Sequence, residues 1–187
     1  MTTSEKQISC IILAGGEGKR VGGRDKGLVA YNDKPLIEHV LDAVSSQCND
    51  IIISANRNVK AYKTYGYPVI ADEKDDCLGP LAGIAASLPH CKNDTVLIVP
   101  CDMPCLPANL TTKLLDVMAS HTICIAETDG RTQLAFLMNK NLLPSIIHAL
   151  ENNERRLMKW VKSQNPKYCL FSKSHYFKNF NESKDLL

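Results

Sequence analysis

Ile8-Ser9-Cys10-Ile11-Ile12-Leu13-Ala14 runs directly into Gly15-Gly16-Glu17-Gly18-Lys19-Arg20-Val21-Gly22-Gly23-Arg24-Asp25-Lys26-Gly27. The first segment is a short apolar run rich in isoleucine, the pattern of a strand buried on both faces. The second holds six glycines and four cations in thirteen residues. Glycine lets the backbone take positive φ and come close to a ligand. Successive exposed N–H groups then form an anion-binding concavity. Lys19, Arg20, Arg24 and Lys26 add charge opposite a polyphosphate.

Two familiar phosphate loops do not fit. A G-x-G-x-x-G dinucleotide fingerprint beginning at Gly16 and Gly18 meets Val21 where its third glycine belongs. A Walker A loop needs Gly-Lys followed by Ser or Thr, and no such tripeptide occurs.

Outward from this loop, apolar runs alternate with amphipathic stretches. Ile51 to Ala55, Pro68 to Ala71, Thr95 to Pro100, Thr122 to Ala126 and Leu134 to Met138 read as further strands. Helices are expected over Leu36 to Val44 and Pro80 to Leu88, from Pro107 through Met118, and over Asn141 to Leu150 and Glu154 to Lys162. Strands alternating with helices predict an α/β, Rossmann-like three-layer fold with a mostly parallel central sheet. Ligands of such folds bind at the carboxyl ends of the strands.

Those ends carry polar residues. Thr95-Val-Leu-Ile-Val-Pro-Cys-Asp102-Met-Pro104 puts a carboxylate where Pro104 stops strand pairing. One carboxylate with substrate phosphates is a common setting for Mg²⁺, so Asp102 is the expected metal ligand. Asn56 and Asp72 end the next two strands, and Gly79-Pro80-Leu81-Ala82-Gly83 turns tightly into a helix.

Composition bounds the rest. The chain has 187 residues, 44% hydrophobic and 22% charged, as in one soluble globular domain of 1–187. A net charge of +2 is too small for a general nucleic-acid binder. The polar start MTTSEKQ and the lack of any apolar run near 20 residues argue against a secretion signal or membrane span. A cytoplasmic protein with no membrane partner is expected. Eight cysteines include no C-x-x-C pair and are expected as reduced thiols, although Cys101 and Cys105 lie four apart. The five histidines share no motif with a serine or cysteine nucleophile and read as structural or surface residues.

Taken together, LAGG-x-G-x-R-x-GG-x-DKG at 13–27, S-A-N at 54–56, V-I-x-D at 69–72, GPLAG at 79–83 and P-C-D-x-P at 100–104 resemble the molybdenum cofactor guanylyltransferases. Asn153-Glu154-Arg155-Arg156 with Trp160, then Phe171-Ser172, extends the similarity over nearly the whole chain. The resemblance implies a nucleotidyltransferase fold, GTP and molybdenum-bearing molybdopterin as substrates, and Mg²⁺ as cofactor. It implies GTP contacts from Leu13, Ala14, Gly15, Gly16, Lys26, Asn56, Asp72 and Asp102. Asp102, Lys26 and Arg20 would be catalytic, and Asp102 would also hold the metal. Residues 1–105 would form the GTP and Mg²⁺ half. Residues 106–187 would form the molybdopterin half, with Arg155 and Arg156 its expected contacts. A monomer is expected, in transient contact with proteins that deliver molybdopterin and mature molybdoenzymes. The rival enzymes are a molybdenum cofactor cytidylyltransferase and a sugar-1-phosphate nucleotidyltransferase. The former usually has LAAG where this chain has Leu13-Ala14-Gly15-Gly16, and a second glycine leaves room for the larger purine.

Overall fold

The computed structural model describes residues 7–15, 25–72 and 79–180. In chain order the elements are β1 (Ile8–Leu13), a hairpin of β2 (Ala30–Tyr31) and β3 (Lys34–Pro35), α1 (Leu36–Ser45), β4 (Asp50–Ser54), α2 (Val59–Lys63), β5 (Val69–Ile70), α3 (Pro80–Ser87) and β6 (Thr95–Pro100). Then come α4 (Leu110–Met118), β7 (Ile123–Thr128), β8 (Arg131–Asn139), α5 (Leu143–Glu151), α6 (Leu157–Ser163) and β9 (Lys167–Leu170). Gly16, Arg20 and Cys77, singled out in the sequence, lie outside the described residues.

Seven strands form one sheet in the order β5-β4-β1-β6-β8-β7-β9. All run in one direction except β8, which is antiparallel to both β6 and β7. The α/β architecture with a mostly parallel sheet is therefore as expected.

Period-two alternation divides the core. From β1, Cys10 and Ile12 enter one apolar layer beneath α1 and α4, while Ile11 and Leu13 enter the other beneath α3, α5 and α6. β1 is buried along its whole length, which explains why its sequence shows no polar alternation. Burying each such isoleucine contributes about 1.5–3 kcal/mol, and two such layers hold the strand ends in register.

Several boundaries differ from the sequence reading. β8 starts at Arg131 rather than Leu134, because Asp129 (φ +50°) and Gly130 (φ +70°) form a two-residue hairpin loop. Positive φ at both positions is the geometry that matches strand twist. The helix expected from Pro107 begins at Leu110, and that expected from Glu154 begins at Leu157. Asn153 takes positive φ (+58°), and the Glu154 carboxylate accepts the Arg156 N–H at 3.0 Å, so these residues form a lead-in rather than a helical turn. The small hairpin β2–β3, the five-residue α2 and edge strand β9 have no counterpart in the sequence reading. Each is too short to show a period.

The cysteines described are all free. Among the described residues no cluster of three metal-capable side chains occurs, Cys101 and Cys105 included. No helix among them is long and apolar enough to cross a membrane.

Candidate active site

The carboxyl ends of β5, β4, β1 and β6 lie side by side and carry Asp72, Asn56, Ala14-Gly15 and Asp102. At the end of β1, the Ala14 N–H donates to the Ser54 carbonyl at 2.8 Å and the Leu13 carbonyl accepts from the Cys101 N–H at 3.0 Å. The ladder thus occupies part of the backbone of Leu13 and Ala14, and Gly15 is the first exposed residue beyond it.

Among the described residues nothing packs so closely on Gly15 as to require glycine. Its φ is not positive, and among the described residues a Cβ built on it would meet only the Ser54 carbonyl, at 4.0 Å. Gly83 is the opposite case: a Cβ there would meet the Ser54 hydroxyl at 2.5 Å, so this glycine serves close packing of α3 on β4. Gly79 takes φ +83° before Pro80 opens α3, a conformation that favours glycine.

Asp25, Lys26 and Gly27 close the loop. The Lys26 ammonium donates to Asp102 Oδ2 at 3.0 Å, joining positions 76 residues apart. The side chains are 22% and 13% exposed, so the pair sits at the edge of solvent rather than in the core. Asp25 is buried. Its carboxylate accepts from the Tyr62 hydroxyl, from Asn58 Nδ2 at 3.0 Å and from the Gly27 N–H at 3.3 Å. A methyl group on Gly27 would overlap the Tyr62 hydroxyl and approach Cys101 Sγ to 3.3 Å. Gly27 is small so that Tyr62 reaches Asp25 past it. Burial, then the neighbouring Cys101 and Asp25, push the Tyr62 hydroxyl well above its ordinary range, so it remains a donor. Burial followed by the Asp102 charge likewise pushes the Cys101 thiol up, which excludes it as a thiolate at neutral pH.

At the β4–β5 end, Asn56 Oδ1 accepts the Asp72 N–H at 2.9 Å. The amide expected to read a base is therefore half committed to joining the two strand ends. Asp72 Oδ1 is buried without a partner among the described residues. An unpaired buried acceptor is costly, and it fits a group that meets a donor when ligand is bound.

Arg155 and Arg156 differ in setting. The Arg155 carbonyl lies 3.4 Å from where a Gly79 Cβ would stand, which puts it beside the Gly79 turn. Arg156 Nε donates to Glu154 Oε1 at 3.1 Å, and Lys159 also pairs with Glu154. Hydrogen bonds from Arg156 and then Lys159 hold the Glu154 carboxyl down to about 2.

Sequence reading missed Asn58 and Tyr62. Neither belongs to a recognisable motif, and both sit at the start or inside of the short helix α2. The one available signal is the acid in the Asp25-Lys26-Gly27 turn: a buried carboxylate needs donors.

The fold and this edge, with its exposed glycine, paired lysine and aspartate, and unpaired acceptor, define the nucleotidyltransferase class. Residues 10–167 match the MobA-like NTP transferase domain family. The molybdenum cofactor guanylyltransferase of Shewanella loihica is 39% identical over 169 residues, 89% of this chain and 86% of that one. That of Vibrio campbellii is 39% identical over 183 residues, 96% and 93% of the two chains. The chain belongs to the MobA-like NTP transferase family and, within it, to the molybdenum cofactor guanylyltransferases.

Solved structures agree on the fold. Molybdopterin-guanine dinucleotide biosynthesis protein A of Archaeoglobus fulgidus superposes with a TM-score of 0.74 at 21% identity, over 95% of this chain and 94% of that one. Rv0371c of Mycobacterium tuberculosis, solved in complex with manganese, gives 0.67 at 16% identity, over 89% and 88%.

Proposed function

We propose that the protein transfers GMP from GTP to the terminal phosphate of molybdenum-bearing molybdopterin, forming molybdopterin guanine dinucleotide and releasing pyrophosphate. The observation that carries this reading is the Lys26–Asp102 pair at the same sheet edge as Gly15. Full-length similarity to guanylyltransferases at 39% identity supports the choice of substrates.

In this reading residues 1–105 hold the nucleotide and 106–187 hold the acceptor. Asp72 and Asn56 face the base: a carboxylate oxygen without a partner suits the ring N–H and exocyclic amine of guanine, which are donors. Leu13, Ala14, Gly15 and Gly16 bring backbone to the nucleotide, and Gly15 leaves the room. Arg20 and Lys26 face the phosphates. Arg155 and Arg156 supply charge for the acceptor's anionic groups, with Arg155 nearer the Gly79 turn.

Asp102 suits Mg²⁺. One of its carboxylate oxygens already meets a cation, the side chain is partly open, and among the described residues no cluster of acids crowds it into an all-protein cage. That donor set matches a metal held by one carboxylate and substrate phosphates. When bound, the ion would supply Lewis-acid neutralisation of phosphate charge.

The chemistry needs no protein base. A phosphate monoester has a second pKa of about 6 and is largely dianionic at neutral pH. Its oxygen forms a bond to the α-phosphorus of GTP as the bond to the bridging oxygen breaks, and that electron pair leaves with pyrophosphate. The protein aligns the two anions and stabilises charge on the departing group. Lys26 is held at Asp102 and turns to phosphate when the triphosphate arrives.

The test is a product assay with labelled GTP, CTP and sugar phosphates, each with and without molybdopterin. GMP transfer confined to the mixture of GTP and molybdopterin is expected. CMP transfer, or nucleotide–sugar product without molybdopterin, overturns the reading.

A further inference from the structure

The nucleotide elements occupy only four of the seven strand ends. β8, β7 and β9 complete the sheet on the far side of β6. Because β8 runs backward, its first residues share an edge with the last residues of β7, the same edge that carries Asp102. Adjacent strands are about 4.8 Å apart, so the tip of the β7–β8 hairpin lies one to two strand spacings across the sheet from β6 and extends roughly 17 Å beyond the last β6–β8 pair, Ile98 with Phe136, in the direction of Asp102.

A cavity of about 460 Å³ opens at that tip, lined by Thr128, Asp129, Arg131, Gln133 and Ser174. The volume is in the range of small-molecule sites, yet all five lining residues are polar. The hairpin is built to hold them. Thr128 stands opposite Arg131 across the two-residue loop, and Gln133 follows on the same face. Gln133 Nε2 donates to Thr128 Oγ1 at 2.9 Å and to the Arg131 carbonyl at 3.1 Å. The amide nitrogen is thereby occupied, and its carbonyl oxygen is left to accept from a ligand. Pairing shifts register between Ile125 and Glu127, an irregularity of the sort that re-aims side chains next to sites. The last wall belongs to a segment that also reaches the reaction centre: Ser174 opens a short 3-10 turn, and six residues on the Phe180 N–H donates to the Asp102 carbonyl at 3.0 Å.

We propose that this hairpin cavity binds the heterocyclic end of the acceptor, a pterin whose phosphate arm lies at Asp102. A 2-amino-4-oxo pterin presents two adjacent donors and one carbonyl acceptor on its pyrimidine edge. Asp129 accepts from the donors and Arg131 donates to the carbonyl, a carboxylate and a guanidinium that both line the one cavity. The proposal rests on the transfer reaction proposed above. It assigns the acceptor's ring to the β7–β8 hairpin, while Arg155 and Arg156 serve its anionic groups.

Purified wild type, Arg131→Ala and Gln133→Ala proteins test it. Direct binding of molybdopterin without GTP is followed by quenching of pterin fluorescence, and initial rates are measured with each substrate varied in turn. Loss of a charge-assisted hydrogen bond weakens binding roughly tenfold or more. Arg131→Ala is therefore expected to lose at least about tenfold in pterin affinity and to raise the acceptor KM in step, with the GTP KM within about twofold of wild type. Acceptor affinity unchanged in both variants overturns the cavity while leaving the transfer function standing. A GTP KM that rises as much as the acceptor KM also overturns it. Wild-type protein that binds pterin, with Arg131→Ala binding it at least about tenfold more weakly, but forms no GMP product refutes the transfer function and leaves the cavity supported. Wild-type protein that does neither refutes both.

Discussion

Lys26 Nζ stands 3.0 Å from Asp102 Oδ2, although 76 residues of chain separate them. One comes from the turn that closes the glycine loop and the other from the end of β6. In the proposed function their meeting joins the segment assigned to the phosphates to the residue assigned to the metal.

Asp102→Ala should abolish GMP transfer. The side chain is partly open and its carboxylate meets Lys26, so little core packing is lost. Circular dichroism and thermal unfolding are expected close to wild type, with turnover reduced at least about a hundredfold, the scale of losing one charge-stabilising group. Near-normal turnover with Mg²⁺ in the purified variant would sink the metal assignment.

Lys26→Ala should lower kcat/KM for GTP by roughly tenfold to a thousandfold, as removal of a group that neutralises transition-state charge does. The variant leaves Asp102 without that partner, and Lys26→Arg should recover part of the loss. An unchanged kcat/KM in the alanine variant excludes a phosphate role.

Gly15→Ala separates a ligand reason from a folding reason. Among the described residues a methyl there meets only the Ser54 carbonyl, at 4.0 Å. The melting temperature should stay within about 2 °C of wild type, since surface changes stay near 0.5 kcal/mol. The KM for GTP should rise. A large drop in stability with an unaltered KM would place the need for glycine inside the fold.

Tyr62→Phe removes one donor from a buried carboxylate. Asp25 keeps Asn58 and the Gly27 N–H. The expected cost is about 1–3 kcal/mol of stability, with a fall in kcat because the turn carrying Lys26 loosens. Denaturant unfolding and single-turnover rates measure the two effects. A variant as stable as wild type, with equal rates, would show that Asp25 does not depend on Tyr62.

Alkaline pH should destabilise the fold. Burial, reinforced by the charge of Asp50, pushes the Cys91 thiol up to about 11, and burial with neighbouring Cys169 takes Cys124 to about 12. The ordinary thiol value is 9.0. Above that pH the unfolded chain releases thiol protons that the folded chain retains, so stability is whole below about 9 and declines as pH rises through 11 to 12. Melting temperatures from pH 7.5 to 10.5 check the sign, and Cys91→Ala should make the decline shallower. A melting temperature that holds level over this range would contradict it.

The architecture and half of the site are legible in the chain's local pattern. Unbroken runs such as Ile11-Ile12-Leu13 and Leu97-Ile98-Val99 announce doubly buried strands, because burial on two faces removes polar alternation. The glycine loop and Asp102 are likewise local: each is a strand end followed by residues that stop the strand. Distance in sequence hides the rest. That Asp25 is caged by Asn58 and Tyr62, that Asn56 ties itself to Asp72, and that Gly83 serves packing while Gly15 serves an open edge are all consequences of strand order. The antiparallel β8 is equally out of reach of local pattern. Its Asp129-Gly130 loop is readable as a turn, but only the sheet shows that this turn faces the same edge as Asp102. Local pattern fixes which residues become strands and loops. Which loops become neighbours is decided by tertiary packing, whose energy is shared among contacts that no short segment contains.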